Sequence, residues 1–170
     1  MRYAACADFD GRFFLRPILP CRFPSAAARI VVAAALVALS SFAQARDALA
    51  VANVKIAGHA LRVEVVATPE QRAKGLMFRE KLARNDGMLF IFDEPGYQAM
   101  WMKNTLIALS VAFVDGDGRI LNVEDMEPQT LDSHASAGPA RYAIETNKGW
   151  FAERRIKAGD KVSGLPSPPK

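Results

Sequence analysis

Residues 109–126 read LSVAFVDGDGRILNVEDM and indicate a β-hairpin. The largely apolar run from Leu109 to Val114 leads into the turn sequence Asp115-Gly116-Asp117-Gly118, after which apolar residues recur up to Met126. Asp-Gly pairs between two such runs are a strong hairpin signal, because glycine readily takes the positive φ that a tight turn needs. The same aspartates could begin a calcium loop, but Met126 stands where that loop needs a glutamate. We therefore expect a turn here and no calcium site.

Strand signals of the same kind are found on both sides of this hairpin. Val54 to Val66 alternates around Ala57-Gly58-His59, which predicts a second hairpin, and Gly87 to Phe92 is a compact apolar run typical of a buried strand. Shorter candidates are Tyr97 to Lys103, Arg141 to Thr146 and a last strand after Ala158-Gly159-Asp160.

Only two segments favour a helix. The first begins at Thr68-Pro69-Glu70-Gln71, where Thr68 can cap the helix, Pro69 suits its first position and Gln71 completes a capping box. Gly75 is expected to end it, and Trp150 to Ile156 predicts one or two further helical turns. About seven short strands with two brief helices predict a mostly β fold: a small single-domain β-barrel or sandwich with two short helices.

The first 45 residues have the pattern of a secretory signal. Arg22 and Arg29 precede a 13-residue apolar run, Ile30 to Phe42, and Ala43-Gln44-Ala45 supplies the small residues of a cleavage site. A retained membrane anchor is the alternative, but a span needs about 20 apolar residues. We predict cleavage after Ala45 and a periplasmic or secreted product without a stable membrane anchor. The predicted organisation is a leader (1–45), one β-rich domain (46–165) and a disordered tail (166–170).

Charge and cysteine content limit what the domain can do. The chain carries a net charge of +4, but five arginines and two aspartates within residues 1–45 account for +3 of it. A nearly neutral domain lacks the positive field that nucleic-acid binding usually needs, so no nucleic-acid partner is expected. Both cysteines, Cys6 and Cys21, lie in the leader, so the domain has no disulfide and no thiolate ligand. We expect a monomer without a cofactor.

Five sequence blocks in a fixed order carry a family resemblance. They are Gly75-Leu76-Met77-Phe78-Arg79, Gly87-Met88-Leu89-Phe90, Met100-Trp101-Met102-Lys103-Asn104-Thr105, Gly138-Pro139-Ala140-Arg141-Tyr142 and Ala158-Gly159-Asp160. From about Val54 to Val162 the chain resembles the domain of unknown function 192 family, small bacterial and archaeal proteins that are often exported. The resemblance implies a compact, predominantly β fold and no assigned activity. Where the family usually has Pro-Leu-Asp, this chain has Ala108-Leu109-Ser110, so any role of that aspartate is missing here.

The block from Met100 to Thr105 is the main candidate for a binding site. Lys103 could pair with a ligand carboxylate or phosphate while Asn104 and Thr105 orient it, and Arg79 and Arg141 adjoin neighbouring blocks. Equally, Asn104 and Thr105 could hydrogen-bond their own turn while Lys103 pairs with a nearby acid.

Two functions of different classes fit these residues. The first is a binding or accessory module for a small anionic ligand, a peptide or an envelope glycan. The alternative is a hydrolase acting on cell-envelope material, with Glu145 or Asp160 as acid or base and Lys103 as electrostatic stabiliser. No catalytic residue is assigned beyond these two candidates.

Methionines and aromatic residues are expected in the core. The five methionines from Met77 to Met126 suit irregular core gaps better than a copper site, so no metal site is predicted. Trp101, Trp150 and Tyr142 could stack on a sugar ring, but their apolar neighbourhoods favour core packing.

Overall fold

The computed structural model describes residues 49–167 of the 170-residue chain. The predicted leader and cleavage site, and the last three residues of the predicted tail, lie outside this range. The described part contains nine strands and two short helices: β1 (Ala50–Ile56), β2 (His59–Val66), α1 (Pro69–Lys74), β3 (Asp86–Gly96), β4 (Ala99–Met100), β5 (Leu109–Val114), β6 (Ile120–Met126), β7 (His134–Ala135), β8 (Ala140–Asn147), α2 (Trp150–Glu153) and β9 (Val162–Ser163). The predicted fold class is confirmed.

Seven of the strands form one curled sheet, a half-barrel in the order β6-β5-β8-β3-β2-β1-β9, while β4 and β7 form a separate ribbon. All neighbours in the sheet are antiparallel except β2 and β3, which run parallel because α1 and the following loop carry the chain back between them. The two edge strands meet at one corner. There the Ile120 amide donates to the Asp160 carbonyl at 2.9 Å, and the Val162 amide donates to the Gly118 carbonyl at 2.8 Å.

The Asp-Gly turn between β5 and β6 has the form that its sequence predicts. The Asp115 carboxylate accepts hydrogen bonds from the amides of Asp117 (2.9 Å) and Arg119 (2.8 Å). Gly118 has a φ of +80°, and a Cβ atom at this position would lie 2.8 Å from the Val162 carbonyl oxygen. The turn therefore accounts for this aspartate and also brings the chain against β9.

Helix α1 begins with the predicted capping box, in which the Thr68 hydroxyl accepts from the Gln71 amide and the Gln71 side chain accepts from the Thr68 amide. Gly75 follows the helix at a φ of +47°, and a Cβ atom there would lie 3.2 Å from the Phe90 ring. This close approach presses the segment after α1 onto β3 and positions the first wall of the candidate site.

Apolar side chains cover both faces of the sheet. One cluster includes Leu89, Ala112 and Ile144 and is closed by Trp150 and Phe151. The cluster on the opposite face includes Met88, Phe90, Val111, Met102 and Met126. Alternate residues of β3, β5 and β8 thus point to different cores, which is why these strands read as continuous apolar runs.

One core prediction is wrong. Trp150 and Tyr142 are buried as expected, but Trp101 remains 52% exposed. Strand β4 ends at Met100, so the chain has left the ribbon by Trp101, and Met102 is the fully buried residue instead. The Lys103 ammonium lies 5.4 Å from the centre of the Trp101 ring, a cation–π contact at the surface.

Candidate functional site

A cavity of about 220 Å³ lies between the segment that follows α1, the end of β4 and strand β8. Its walls are mostly apolar and aromatic, as in most small-molecule sites. The lining residues are Arg72, Ala73, Lys74, Gly75, Leu76, Met77, Phe90, Phe92, Ala99, Met100, Trp101, Thr105 and Glu145.

Glu145 is the one carboxylic acid among these lining residues. It lies on β8 in register with Met88 of β3 and Val111 of β5, so its side chain shares their apolar face. The residue is only 4% exposed, and no hydrogen bond from the described residues to its carboxyl group contributes to its pKa. Burial raises the pKa of Glu145 to about 8. At neutral pH Glu145 is therefore mainly a neutral acid, and its carboxyl group can both donate a hydrogen bond to a ligand oxygen and accept one.

Two cations belong to the wall formed by α1. Arg72 donates to the Ile91 carbonyl at 2.9 Å and to the Asp93 carboxylate at 2.9 Å, so its guanidinium is already engaged. Lys74 is exposed in the last turn of the helix, and no acid of the described part pairs with it. Lys74 is therefore the cation of the lining that can meet an incoming anion.

The predicted Lys-Asn-Thr block reaches the cavity only through Thr105. This residue is buried, and its hydroxyl donates to the Lys103 carbonyl at 3.4 Å. Lys103 does not line the cavity, but its ammonium lies over the ring of Trp101, which does. Asn104 has a φ of +57°, and its carbonyl accepts from the Phe78 amide at 2.8 Å. Asn104 thus joins the two loops beside the cavity.

The other predicted site residues lie away from the cavity and have partners of their own. Arg79 makes a two-pronged ion pair with Glu64, and these hydrogen bonds lower the pKa of Glu64. Arg141 donates to the Asp93 carbonyl at 2.6 Å. The Asp160 carboxylate accepts from the Lys157 amide at 2.8 Å. The structure therefore does not bring Arg79, Arg141 or Asp160 together with Glu145.

Ser110, which replaces the family's usual aspartate, also lies away from the cavity. Its hydroxyl donates to the Asp125 carboxylate and accepts from the Gly149 amide at 2.9 Å. Because Val111 is the partner of Glu145, the adjacent Ser110 points to the other face of the sheet. The substitution thus leaves the cavity itself unchanged.

Sequence reasoning missed most of the cavity wall, including Lys74, Met77 and Phe92. The signal that could have indicated part of it was the capping box with Gly75, because these fix where α1 ends and which residues follow it onto the sheet.

In residues 49–167 no group of three or more His, Cys, Asp or Glu side chains could hold a metal ion. Nor does any helix of this range have the length and apolar character needed to cross a bilayer.

The fold and the cavity together define a small half-barrel domain with one buried carboxylic acid in an apolar cavity. The DUF192 family model, described as "Uncharacterized ACR", matches residues 52–164. The chain therefore belongs to this family, which confirms the resemblance noted from the sequence.

Two crystal structures are similar to the chain at 35% sequence identity and a TM-score of 0.67. One is a Sinorhizobium meliloti 1021 protein provisionally described as a transcription regulator, and the match covers 69% of this chain and 95% of that one. The other is a protein of unknown function from Novosphingobium aromaticivorans DSM 12444, for which the match covers 71% of this chain and 89% of that one. No curated protein matches the chain.

Proposed function

We propose that the domain is a binding module that holds a small organic anion in the cavity over Glu145. The observation that carries this proposal is that Glu145 lies at the wall of an apolar cavity. It is a buried acid, and none of the described residues donates a hydrogen bond to its carboxyl group. A buried polar group without a partner is costly, and a ligand oxygen would supply that partner.

The lining supports a ligand with two different parts. Phe90, Phe92 and Trp101 would contact an apolar body, while the neutral Glu145 donates its proton to a hydroxyl, carbonyl or carboxyl oxygen. Lys74 and Lys103 would attract an anionic group at the rim. The cavity volume of about 220 Å³ is below the roughly 300 Å³ at which ligand pockets usually begin. The ligand is therefore a small acid, or the end of a larger molecule such as a peptide or an envelope glycan.

The alternative, a hydrolase acting on envelope material, has one observation in its favour. Glu145 has a raised pKa and Glu64 a lowered one, and both are in register with Met88 on one face of the sheet. Such a pair is typical of acid and base roles. However, the fully buried Met88 lies between them and Arg79 holds Glu64 outside the cavity. Binding therefore has the stronger support.

The proposal can be tested by thermal shift and calorimetry on the full chain. The probes would be hexanoate, benzoate, N-acetylated dipeptides and N-acetylmuramic acid, titrated into the wild type and two variants, Glu145→Leu and Lys103→Ala. The variant Lys55→Ala is the matched control, because Lys55 is an exposed lysine on β1 away from the cavity. We expect at least one probe to raise the melting temperature of the wild type and of Lys55→Ala. The same probe should bind clearly more weakly to Glu145→Leu, because leucine has no polar atom that could form a hydrogen bond with the ligand oxygen.

Two results would contradict this proposal. One is a probe that binds all four proteins equally, since its site would then lie elsewhere. The other is a flat response to the whole panel, which would favour a macromolecular partner. Turnover of any probe by the wild type, lost in Glu145→Leu, would instead support the hydrolase.

Export is the second part of the proposal and rests on the leader pattern in residues 1–45. We expect mass spectrometry of the envelope fraction of an expressing bacterium to find Arg46 at the N-terminus. The variant Ala45→Phe should retain the leader, because the peptidase needs a small residue there. A wild-type product that still begins before Ile30 would contradict export by a cleavable signal.

A further inference from the structure

His134 has a buried ring nitrogen without a partner. Its Nε2 atom is fully buried and has no hydrogen-bond partner among the described residues. Buried polar atoms in native proteins nearly always have a partner, so an orphan calls for a bound ion or water. Neutral imidazole nitrogen is among the commonest metal ligands in proteins.

The register of the small ribbon places a thioether next to this imidazole. His134 of β7 is the cross-strand partner of Met100 of β4, so the two side chains project from the same face. Directly opposite residues of an antiparallel pair have Cβ atoms about 4.5–5.5 Å apart. Met100 lines the cavity, whereas His134 is not among the lining residues; its buried Nε2 atom nevertheless shows that this face of the ribbon is turned inward.

A second thioether comes from the opposite wall. Met77 follows α1 and lines the same cavity as Met100. Its sulfur accepts a weak hydrogen bond from the Asn104 side-chain amide nitrogen at 4.0 Å, which leaves one sulfur lone pair for an ion. Behind these two residues, Met88, Met102 and Met126 belong to the core cluster on that face of the sheet. All five methionines of residues 49–167 are thus on one side of the sheet.

From this arrangement we propose that Met77, Met100 and His134 form a binding site for a soft monovalent metal ion, with Cu⁺ as the physiological representative. Thioether sulfur favours soft ions such as Cu⁺ over hard ones, and imidazole also suits copper. Core packing alone explains Met88, Met102 and Met126, but it does not explain the orphan nitrogen of His134.

This site goes beyond the proposed organic ligand, and the two can be tested apart. Ag⁺ is the probe, because it is a soft monovalent ion that needs no reductant. Titrations would use the full chain in a Cys6→Ser, Cys21→Ser background, since thiols would otherwise bind the ion. We expect saturable binding of one Ag⁺ per chain by calorimetry. X-ray absorption of the Cu⁺ form should show both sulfur and imidazole nitrogen neighbours.

Variants in this background identify the ligands. Met100→Leu keeps the side-chain volume, and it should weaken Ag⁺ binding by at least the roughly 10–100-fold that loss of a supporting group costs a metal site. His134→Gln should have an effect of the same size. The matched control is Met126→Leu, a core methionine outside the cavity lining, which should bind like the parent protein. Glu145→Leu should also retain the ion, whereas it should lose the organic ligand.

Two outcomes would overturn the metal site. The first is the absence of saturable Ag⁺ binding by a folded protein of the cysteine-free background. The second is unchanged affinity in both Met100→Leu and His134→Gln. If the ion binds and no organic probe does, the metal site stands and the proposed binding function does not.

Discussion

The substitution Glu145→Gln tests whether the buried acid controls the pH dependence of stability. Burial raises the pKa of Glu145 from 4.5 to about 8. Between these two pH values the folded protein keeps a proton that the unfolded chain releases, so the free energy of unfolding falls as the pH rises. A rise of about 3.5 units at about 1.4 kcal/mol per unit amounts to about 5 kcal/mol. The stabilising effect is complete below pH 4.5 and is lost as the pH passes 8.

Glutamine has nearly the same shape as protonated glutamic acid but does not titrate. Between pH 5 and 9, the free energy of unfolding of the wild type in urea should therefore fall with pH more steeply than that of Glu145→Gln, by about 1.4 kcal/mol per pH unit. The two proteins should have similar stability near pH 5 and differ by about 5 kcal/mol above pH 8, a large part of a typical domain's total.

The matched control is Glu80→Gln, which changes an exposed glutamate and should keep the wild-type pH dependence. Taking the difference between wild type and variant cancels the titration of both histidines. If Glu145→Gln shows the same decline with pH as the wild type, Glu145 is not a buried neutral acid and the reasoning about the cavity is wrong.

Three further predictions concern stability. Gly118→Ala should lower the free energy of unfolding in urea by about 1–3 kcal/mol, because the φ of Gly118 is +80° and an added Cβ would meet a carbonyl oxygen. The control Gly116→Ala should lower it by less than about 1 kcal/mol, because there is open space around the added Cβ. Arg79→Ala should lower the free energy of unfolding by about 1–2 kcal/mol at pH 7, because the half-buried ion pair with Glu64 is lost. The loss should be smaller in acid, because the pKa of Glu64 is lowered in the folded protein and the stabilisation by the pair therefore fades as the pH falls. A pH-independent difference would contradict the pairing. Trp101→Ala should change the melting temperature little, because the ring is 52% exposed, and a large drop would mean that it belongs to the core.

Much of the fold could be predicted from local patterns. The Asp115 turn, the capping box at Thr68 and the hairpin at Gly58 are confirmed, because each depends on a few neighbouring residues. The parallel pairing of β2 and β3 was not foreseen, since it depends on where the chain returns after α1. Ribbon strand β7 was also missed, because it has only two residues inside a polar loop.

The candidate site was harder to predict because it depends on register between distant strands. Glu145 could be named as an acid from the sequence, but its burial follows from its position between Met88 and Val111. Lys103 and Thr105 were predicted to share one binding site, whereas in the structure Lys103 lies at the surface and Thr105 is buried. The strand predicted from Tyr97 to Lys103 has only two residues, Ala99 and Met100, so strand alternation could not indicate that Met102 rather than Trp101 is buried.

The corner at which β6 meets β9 has a consequence for the time course of folding. The residues that complete the sheet come late in the domain: Ser163 pairs with Lys55, 108 positions earlier in the chain. Contacts between such distant residues form slowly, because a long loop must close before they contribute any stability. A growing chain can thus form its early hairpin but cannot close the sheet until Val162 and Ser163 have left the ribosome. Until then the domain stays open, a state in which a chaperone can still engage it.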